Sequence, residues 1–477
     1  MRASLTLAAA LLAGCGQPGD AARLATPGDA GQAALPLVLS STDAILGGNM
    51  TLTISGADPN ETVFVVRGVQ GLGNGMCLPQ IGGQCFGLRG TAALHTQFRA
   101  DANGNRDKRE SVPNIPSING ASVCFQAVVI RGTNGNQSAL SNPVCVDIGY
   151  DGDSDGILDQ FDACPGFDDF FDWDNDGVPD DCDDPADQPP VFETADPIVP
   201  WTVGNFQGRQ YRQAIPPNAN GLVWLFHGTN GSSTLADSPE PIVVLNALYE
   251  AGYGFVAFTA DGNIWEDDDA PNSNGDYQRI LDYRAQLVTQ GAIASTTPSY
   301  GLGYSNGGSM ASYIGHASPT SFRYRGSIYM NHGGRSGRFG ATANLPTLWI
   351  NSVNDDTVAP SDVENQYDDH VASGRNGILL TNTVQRLAPT RWARSPNVNQ
   401  SRSRENFKIA VNGGYFNNRG VAQFGFNDVL GTIDDIVDLP DFTPDAPGRA
   451  VLNVVLATHQ FNGQHTDAIV TFVENLP

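Results

Sequence analysis

The sequence predicts an all-β module followed by a larger α/β domain with a mostly parallel sheet, with a short acidic repeat segment between them. Three observations predict this. Leu37 to Ile148 carries short alternating runs of strand formers separated by turn signals. Residues 151–187 hold fifteen Asp and no Lys or Arg, which is −15 of the formal net charge of −25. From about Val191 to the end, apolar strand-like runs alternate with amphipathic stretches. A chain of 477 residues has room for all three. So uneven an acidic balance excludes nucleic acid as a partner and favours divalent cations.

The N-terminus reads as a targeting segment. Met1-Arg2 gives a positive start, Leu5 to Leu12 an apolar run too short to span a bilayer, and small residues follow. It ends in Leu12-Ala13-Gly14-Cys15, which resembles a bacterial lipobox. That resemblance implies cleavage before Cys15, a diacylglycerol on its sulfur, a lipid bilayer as partner, and export to the outer membrane or cell surface. Residues 16–36, rich in Ala, Gly, Pro and Asp, suit a flexible tether. Of seven Cys, six remain after Cys15, an even number that fits an oxidising compartment. Locality proposes the pairs Cys77–Cys85, Cys124–Cys145 and Cys164–Cys182.

Within residues 37–149, Met50 to Ser55 alternates cleanly, Thr62 to Val66 does so in part, and Ala121 to Ile130 is a longer run of strand formers. Gly47-Gly-Asn, Ala100 to Gly104 and Gly132 to Gly135 mark turns between such runs. Short strands so punctuated suggest a β-sandwich. The segment resembles the Ig-like modules found ahead of catalytic domains in secreted bacterial proteins.

Residues 150–190 contain an in-phase repeat. Asp151-Gly-Asp153-Ser-Asp155-Gly-Ile-Leu-Asp159 and Asp172-Trp-Asp174-Asn-Asp176-Gly-Val-Pro-Asp180 both fit D-x-D-x-D-G-x-x-D. Carboxylates at alternate positions can curl around one hard cation, and the Gly permits the sharp turn. These eight Asp, with Asp162, are the candidate metal ligands. The segment resembles thrombospondin type 3 repeats, which implies structural calcium and none for catalysis. A second G-x-S-x-G match, around Ser154, falls inside this segment among carboxylates and is read as a decoy.

In the α/β region, residues 191–477, Gly221–Phe226, Gly254–Phe258, Tyr324–Met330, Pro346–Ile350 and Ala450–Ala457 read as strands. Pro239–Ala251, Tyr277–Gln290, Ser361–Ala372 (with Ser361 as N-cap) and Ala468–Glu474 read as helices. Residues 376–448, rich in Asn, Arg, Gly and Pro, read as an insertion between the acid-bearing strand and the last strand. Tyr300 to Tyr304 reads as a buried strand running into Gly303-Tyr-Ser305-Asn-Gly307, a sharp strand-to-helix turn that lifts a serine into reach.

A serine hydroxyl needs a base, an acid that orients the base, and donors for the developing oxyanion. His227-Gly228-Thr229 follows the first parallel strand, so the N–H groups of Thr229 and Asn306 are candidates for the oxyanion donors. His227 precedes the serine and reads as a turn residue. Asp355 and Asp356 compete as the acid after strand 346–350, and spacing favours Asp355. Both His459 and His465 follow the last expected strand. His465 has a Gly just before it and a helix just after it, so it is the expected base and His459 the residue that ends the strand.

These residues carry a family resemblance. Gly303-Tyr-Ser-Asn-Gly-Gly-Ser-Met-Ala311 is close to G-x-S-N-G-G-x-M-A, and Asp355-Asp-Thr-Val-Ala-Pro360 to D-x-T-V-x-P. Residues 220–477 thus resemble the α/β-hydrolase esterases grouped with extracellular polyhydroxybutyrate depolymerases and feruloyl esterases. The resemblance implies a Ser305, Asp355, His465 triad acting on an ester or polyester. Asn351-Ser352, where His-Gly usually precedes the acid, and the insertion are departures from the group. The competing expectation is a surface adhesion or polymer-binding protein with an inert hydrolase domain.

Overall fold

The computed structural model describes residues 36–265, 275–317, 319–334 and 345–476. The targeting segment, Cys15 and nearly all of the tether lie outside the described residues. The chain forms two compact units, the first ending at Pro185 and the second comprising Trp173–Asn175 and the chain from Ala186 onward.

In the first unit, β1 (Val38–Ser41), β3 (Asn49–Ser55) and β6 (Arg106–Ser111) make one sheet. A second sheet has the order β2 (Ala44–Ile45), β9 (Val144–Gly149), β7 (Ser122–Val129), β4 (Thr62–Gly68), β5 (Ala93–Arg99), with β8 (Ala139–Leu140) beside β7. Alternation explains the pairing of faces. Met50, Leu52 and Ile54 on β3 point into one apolar cluster with Val63 and Val65 of β4 and Phe125, Ala127 and Val129 of β7. All three expected disulfides are present. The two Asp loops repeat one another. Asp159 N–H donates to the Tyr150 carbonyl and Asp180 N–H to the Phe171 carbonyl, both at 2.8 Å. Gly156 and Gly177 take φ of 99° and 91° at the turn.

The second unit is built on a twisted sheet of order β10 (Thr202–Phe206), β11 (Arg209–Ala214), β13 (Tyr253–Phe258), β12 (Gly221–Phe226), β14 (Ser299–Tyr304), β15 (Tyr324–Met330), β16 (Thr347–Ser352), β17 (Gly377–Asn382). The pairs from β13 to β17 are parallel, and β10 and β11 add an antiparallel edge. The strands are apolar throughout because helices cover both faces. On β12, Leu222, Trp224 and Phe226 pack with helices α2 (Gly275–Thr289) and α3 (Asn306–Ala317). Val223 and Leu225 face the other way, toward α1 (Pro239–Glu250) and α8 (Thr466–Glu474). Helix α4 (Pro360–Ala372) covers β16 through Val363 and Tyr367. Its N-cap is Ala359 rather than the expected Ser361, because Pro360 takes the first helical position, where a missing N–H costs nothing.

The region after β16 differs most from the sequence expectation. Residues 377–382, placed in the insertion, form the last strand, β17. The insertion therefore spans residues 383–458 and carries α5 (Gln400–Asn412), α6 (Val429–Val437) and α7 (Asp445–Val455). The expected strand 450–457 is mostly helix α7. Its buried positions Gly448, Val451, Leu452 and Val455 have the i, i+3, i+4, i+7 spacing of a helix, which the short apolar run disguised.

The insertion is tied into the unit by a buried ion pair. Glu240 of α1 accepts from Arg391 at 2.9 Å and from Arg394 at 3.2 Å, and Gly463 N–H donates to its other oxygen at 3.0 Å. The two guanidinium groups hold the Glu240 carboxyl below its ordinary range despite its burial. Glu240→Ala strands the Arg391 charge and should destabilise the protein by about 3–5 kcal/mol in urea unfolding. The double replacement Glu240→Leu, Arg391→Met should recover most of that loss.

Candidate active site

Ser305 stands at the C-terminal end of β14, in the turn into α3, with φ of 51°. A non-glycine residue in that region is strained, and here the flanking contacts enforce it. Ser305 N–H donates to the Met330 carbonyl at 2.9 Å, and its carbonyl accepts from Gly308 N–H at 2.8 Å. Both glycines of the pentapeptide are required by close approach. A Cβ on Gly303 would lie 2.2 Å from the Gly307 carbonyl oxygen, and one on Gly307 would lie 2.2 Å from that of Phe226. Ser154 of the decoy has a similar φ of 69°. There the N–H donates to Asp151 at 2.7 Å, and neither strand nor helix flanks it.

The histidine at Ser305 is His459, not His465. His459 Nε2 lies 2.8 Å from Ser305 Oγ. Its Nδ1 lies 2.9 and 2.8 Å from the two carboxylate oxygens of Asp355. His465 instead sits at the N-cap position of α8 and donates from Nε2 to the Thr381 carbonyl at 3.2 Å. The difference has a physical cause. A strand over 450–457 would place His459 at its end. Helix α7 in fact stops at Val455, and the chain turns at Ala457, with φ of 52°, to present the next loop at the sheet.

Of the two candidate acids, Asp355 meets the imidazole and Asp356 is exposed. Asp355 Oδ1 also accepts from the N–H groups of Thr357 at 2.9 Å and Val358 at 2.8 Å. Those bonds fix the plane of the carboxylate and direct it at Nδ1, so Nδ1 donates and Nε2 is left to accept from the serine. Tyr304 OH donates to the His459 carbonyl at 2.9 Å. Burial and the neighbouring Asp355 charge push the Tyr304 phenol up, which keeps it a donor.

Asn306 opens α3, where the first N–H groups of a helix have no partner within it. Its side chain accepts from Trp265 N–H at 2.8 Å. Gly228 comes within contact of Ser305: a Cβ added there would lie 3.1 Å from the serine Cβ. In the turn that follows, Gly231 N–H donates to Gly228 and Asn230 N–H donates to Asn263. Thr229 directly follows Gly228 in this turn. His227 is buried with both nitrogens engaged, Nδ1 at 2.7 Å from the Gly228 carbonyl and Nε2 accepting from Ala260 N–H at 3.1 Å. Burial pushes its pKa down, as befits a neutral turn residue.

In the first unit, Asp151, Asp153 and Asp155 each offer an oxygen, and these lie within 4.8 Å of one another. One Asp153 oxygen is buried with no hydrogen-bond partner among the described residues. Burial and the surrounding carboxylates push the Asp153 and Asp162 carboxyls up. One Asp159 oxygen accepts from the Gly152 N–H at 2.6 Å, and one Asp162 oxygen from the Cys164 N–H at 2.8 Å. In the second loop, Asp172 accepts from Gly177 and Asp176 from Val178, as Asp151 and Asp155 do from Gly156 and Ile157 in the first.

The strand order of the second unit, with Ser305 after β14, Asp355 after β16 and His459 beyond β17, is the α/β-hydrolase fold. No family model and no curated protein matches the sequence. Solved structures that resemble the chain include Est1E from Butyrivibrio proteoclasticus, at 15% identity, 38% coverage of this chain and 87% of that one, with a TM-score of 0.29. XC6422 from Xanthomonas campestris, an a/b serine hydrolase without lid, gives 16%, 41%, 88% and 0.29. The Pyrococcus furiosus esterase Pf2001 gives 12%, 40%, 88% and 0.29. Likenesses of this size fix neither fold nor activity, and the fold assignment rests on the strand order and the placement of the three side chains.

Gly307→Ala should prevent the serine turn from forming, because the added methyl meets backbone rather than a movable side chain. The expected result is insoluble or unfolded protein by circular dichroism, whereas Gly291→Ala, with nothing within 4 Å of the added methyl, should fold with only a mild loss of stability.

Proposed function

We propose that this protein is a serine hydrolase of carboxylic esters, with Ser305 as nucleophile, His459 as base and Asp355 as the acid that orients it. The observation that carries the reading is the unbroken hydrogen-bond chain from Ser305 Oγ through His459 to Asp355, with neither step longer than 2.9 Å. A serine alone is a weak nucleophile, and this chain is the arrangement that activates it.

Ser305 Oγ attacks the acyl carbon as its proton passes to His459 Nε2. The carbonyl π electrons move onto oxygen, and the N–H groups of Asn306 and Thr229 stabilise that oxyanion. When the carbonyl reforms, the C–O bond to the alcohol breaks and the alcohol leaves with the proton from His459. Water then attacks the acyl-enzyme, giving His459 a proton that returns to Ser305 Oγ as the acid departs. Asp355 stays ionised and stabilises the imidazolium. The motifs at Gly303–Ala311 and Asp355–Pro360 support a polyester or a plant-wall ester as substrate. The same motifs make feruloyl esters a sensible first probe.

Around this activity, the lipobox supports lipid anchoring through Cys15 and export. The in-phase Asp loops and the unpartnered Asp153 oxygen support structural calcium held by Asp151, Asp153 and Asp155, with Asp172, Asp174 and Asp176 in the second loop. The alternating strands at 37–149 support an Ig-like module ahead of the catalytic domain.

Two measurements test the reading. On a panel of p-nitrophenyl and feruloyl esters, Ser305→Ala and His459→Ala should each lower turnover on the order of 10⁵–10⁶-fold, and the double replacement little further. Asp355→Asn should cost about 10⁴-fold. His465→Ala and Asp356→Asn should leave turnover near wild type. A Ser305→Ala protein with wild-type turnover would leave adhesion or polymer binding as the better account. For the repeats, calcium titration by calorimetry should show binding, and chelation should expose residues 151–187 to protease while turnover on a small ester stays nearly constant. A flat titration contradicts the calcium assignment.

A further inference from the structure

His459 is not delivered by the sheet. It lies beyond the 383–458 insertion, so something must fix its backbone to within a fraction of an ångström of the position that Ser305 requires. The carbonyls of three successive residues, Thr458, His459 and Gln460, are each met by a side-chain donor from a strand end. Tyr304, which ends β14, takes the carbonyl of His459. Asn331, which follows β15, takes the other two, donating from Nδ2 to Gln460 at 3.1 Å and to Thr458 at 3.4 Å.

We propose that Asn331 is a positioning residue for His459, its carboxamide holding the peptide carbonyls on both sides of the base. The inference rests on the serine-hydrolase reading and extends it to residues that no sequence motif marks.

The geometry around Asn331 is specific. Its side chain is fully buried. Its φ is 52°, a region that Asn and Asp tolerate better than other residues with a Cβ, and its N–H donates to the Ile350 carbonyl at 2.8 Å. The amide is held in one orientation. Ser352 Oγ, on β16, donates to Asn331 Oδ1 at 2.9 Å and accepts from Asn382 Nδ2, on β17, at 3.1 Å. A flipped amide would turn Oδ1 toward two carbonyl oxygens and its NH₂ toward the Ser352 hydroxyl. The relay therefore runs from the last two strands through Ser352 to Asn331 and on to the histidine loop. Ser352 occupies one of the two positions where the sequence departs from the esterase pattern.

Asn331→Asp tests the proposal, since it keeps shape and φ but sets a carboxyl oxygen against both carbonyls. Displacing a reacting group by about 1 Å costs about 10²-fold. The variant should lose about that factor in kcat on p-nitrophenyl acetate with KM little changed. Fluorophosphonate labelling of Ser305 should slow in parallel. The far-downfield proton signal of the His459 Nδ1–H bond to Asp355, assigned by its loss in His459→Ala, should shift or broaden. Ser352→Ala, which only frees the amide to turn, should move all three readouts the same way by a smaller factor and stands in if Asn331→Asp does not fold. A variant that folds and keeps wild-type kcat per labelled serine and an unmoved downfield signal overturns the proposal, whatever its loss in melting temperature. Failure of the hydrolase reading looks different: the wild-type protein itself is then not labelled at Ser305, and the downfield signal alone decides whether Asn331 holds the loop.

Discussion

The imidazole of His459 is held between two partners, a serine oxygen at 2.8 Å and a carboxylate at 2.8 and 2.9 Å. The rest of the second unit is arranged so that this can happen. A parallel sheet places the C-terminal ends of β14 and β16 on one edge, so Ser305 and Asp355 arrive there as direct consequences of topology. The histidine does not. It comes off helix α7, and its loop is fastened to the sheet by Tyr304 and Asn331 and, four residues on, to Glu240 through Gly463. The same Glu240 binds Arg391 and Arg394 of the insertion. The insertion and the His459 loop therefore share one anchor.

Polar burial under the Asp355 loop has a cost. Asn351 lies in β16 with both amide atoms buried and without partners among the described residues, and Asn382 Oδ1 is in the same condition. Each such group costs about 1–3 kcal/mol. An apolar sheet end would be more stable but would leave Asn331 unoriented. The hydrophobic clusters on the two faces of the sheet, with Trp224 and Trp349 among the fully buried residues, supply the stability that such a site draws on.

Much of this was legible in the sequence, for reasons that can be stated. Ser305 was legible because a strand, a sharp turn and a helix need small residues at fixed offsets, and 303–308 has them. Asp355 followed from its place after an unambiguous buried strand. The Asp loops announced themselves by phase, and the disulfides by locality. The histidine was not legible, because its position depended on the secondary structure of 445–457. There a run of eight residues, apolar but for Asn453, fits a strand end or a helix face, and only tertiary packing decides. The hairpin of β10 and β11 escaped notice because edge strands are half polar and carry no apolar run. Tyr304 and Asn331 had no signal beyond a strand end followed by a residue that tolerates left-handed backbone.

We propose His459, rather than His465, as the group that activates Ser305. This assignment is tested most directly by reacting the protein with a fluorophosphonate and mapping the adduct by peptide mass spectrometry in three forms. Phosphonylation should be confined to Ser305 in wild type, proceed at the same rate in His465→Ala, and be essentially absent in His459→Ala. Normal labelling in His459→Ala with loss in His465→Ala would contradict the assignment.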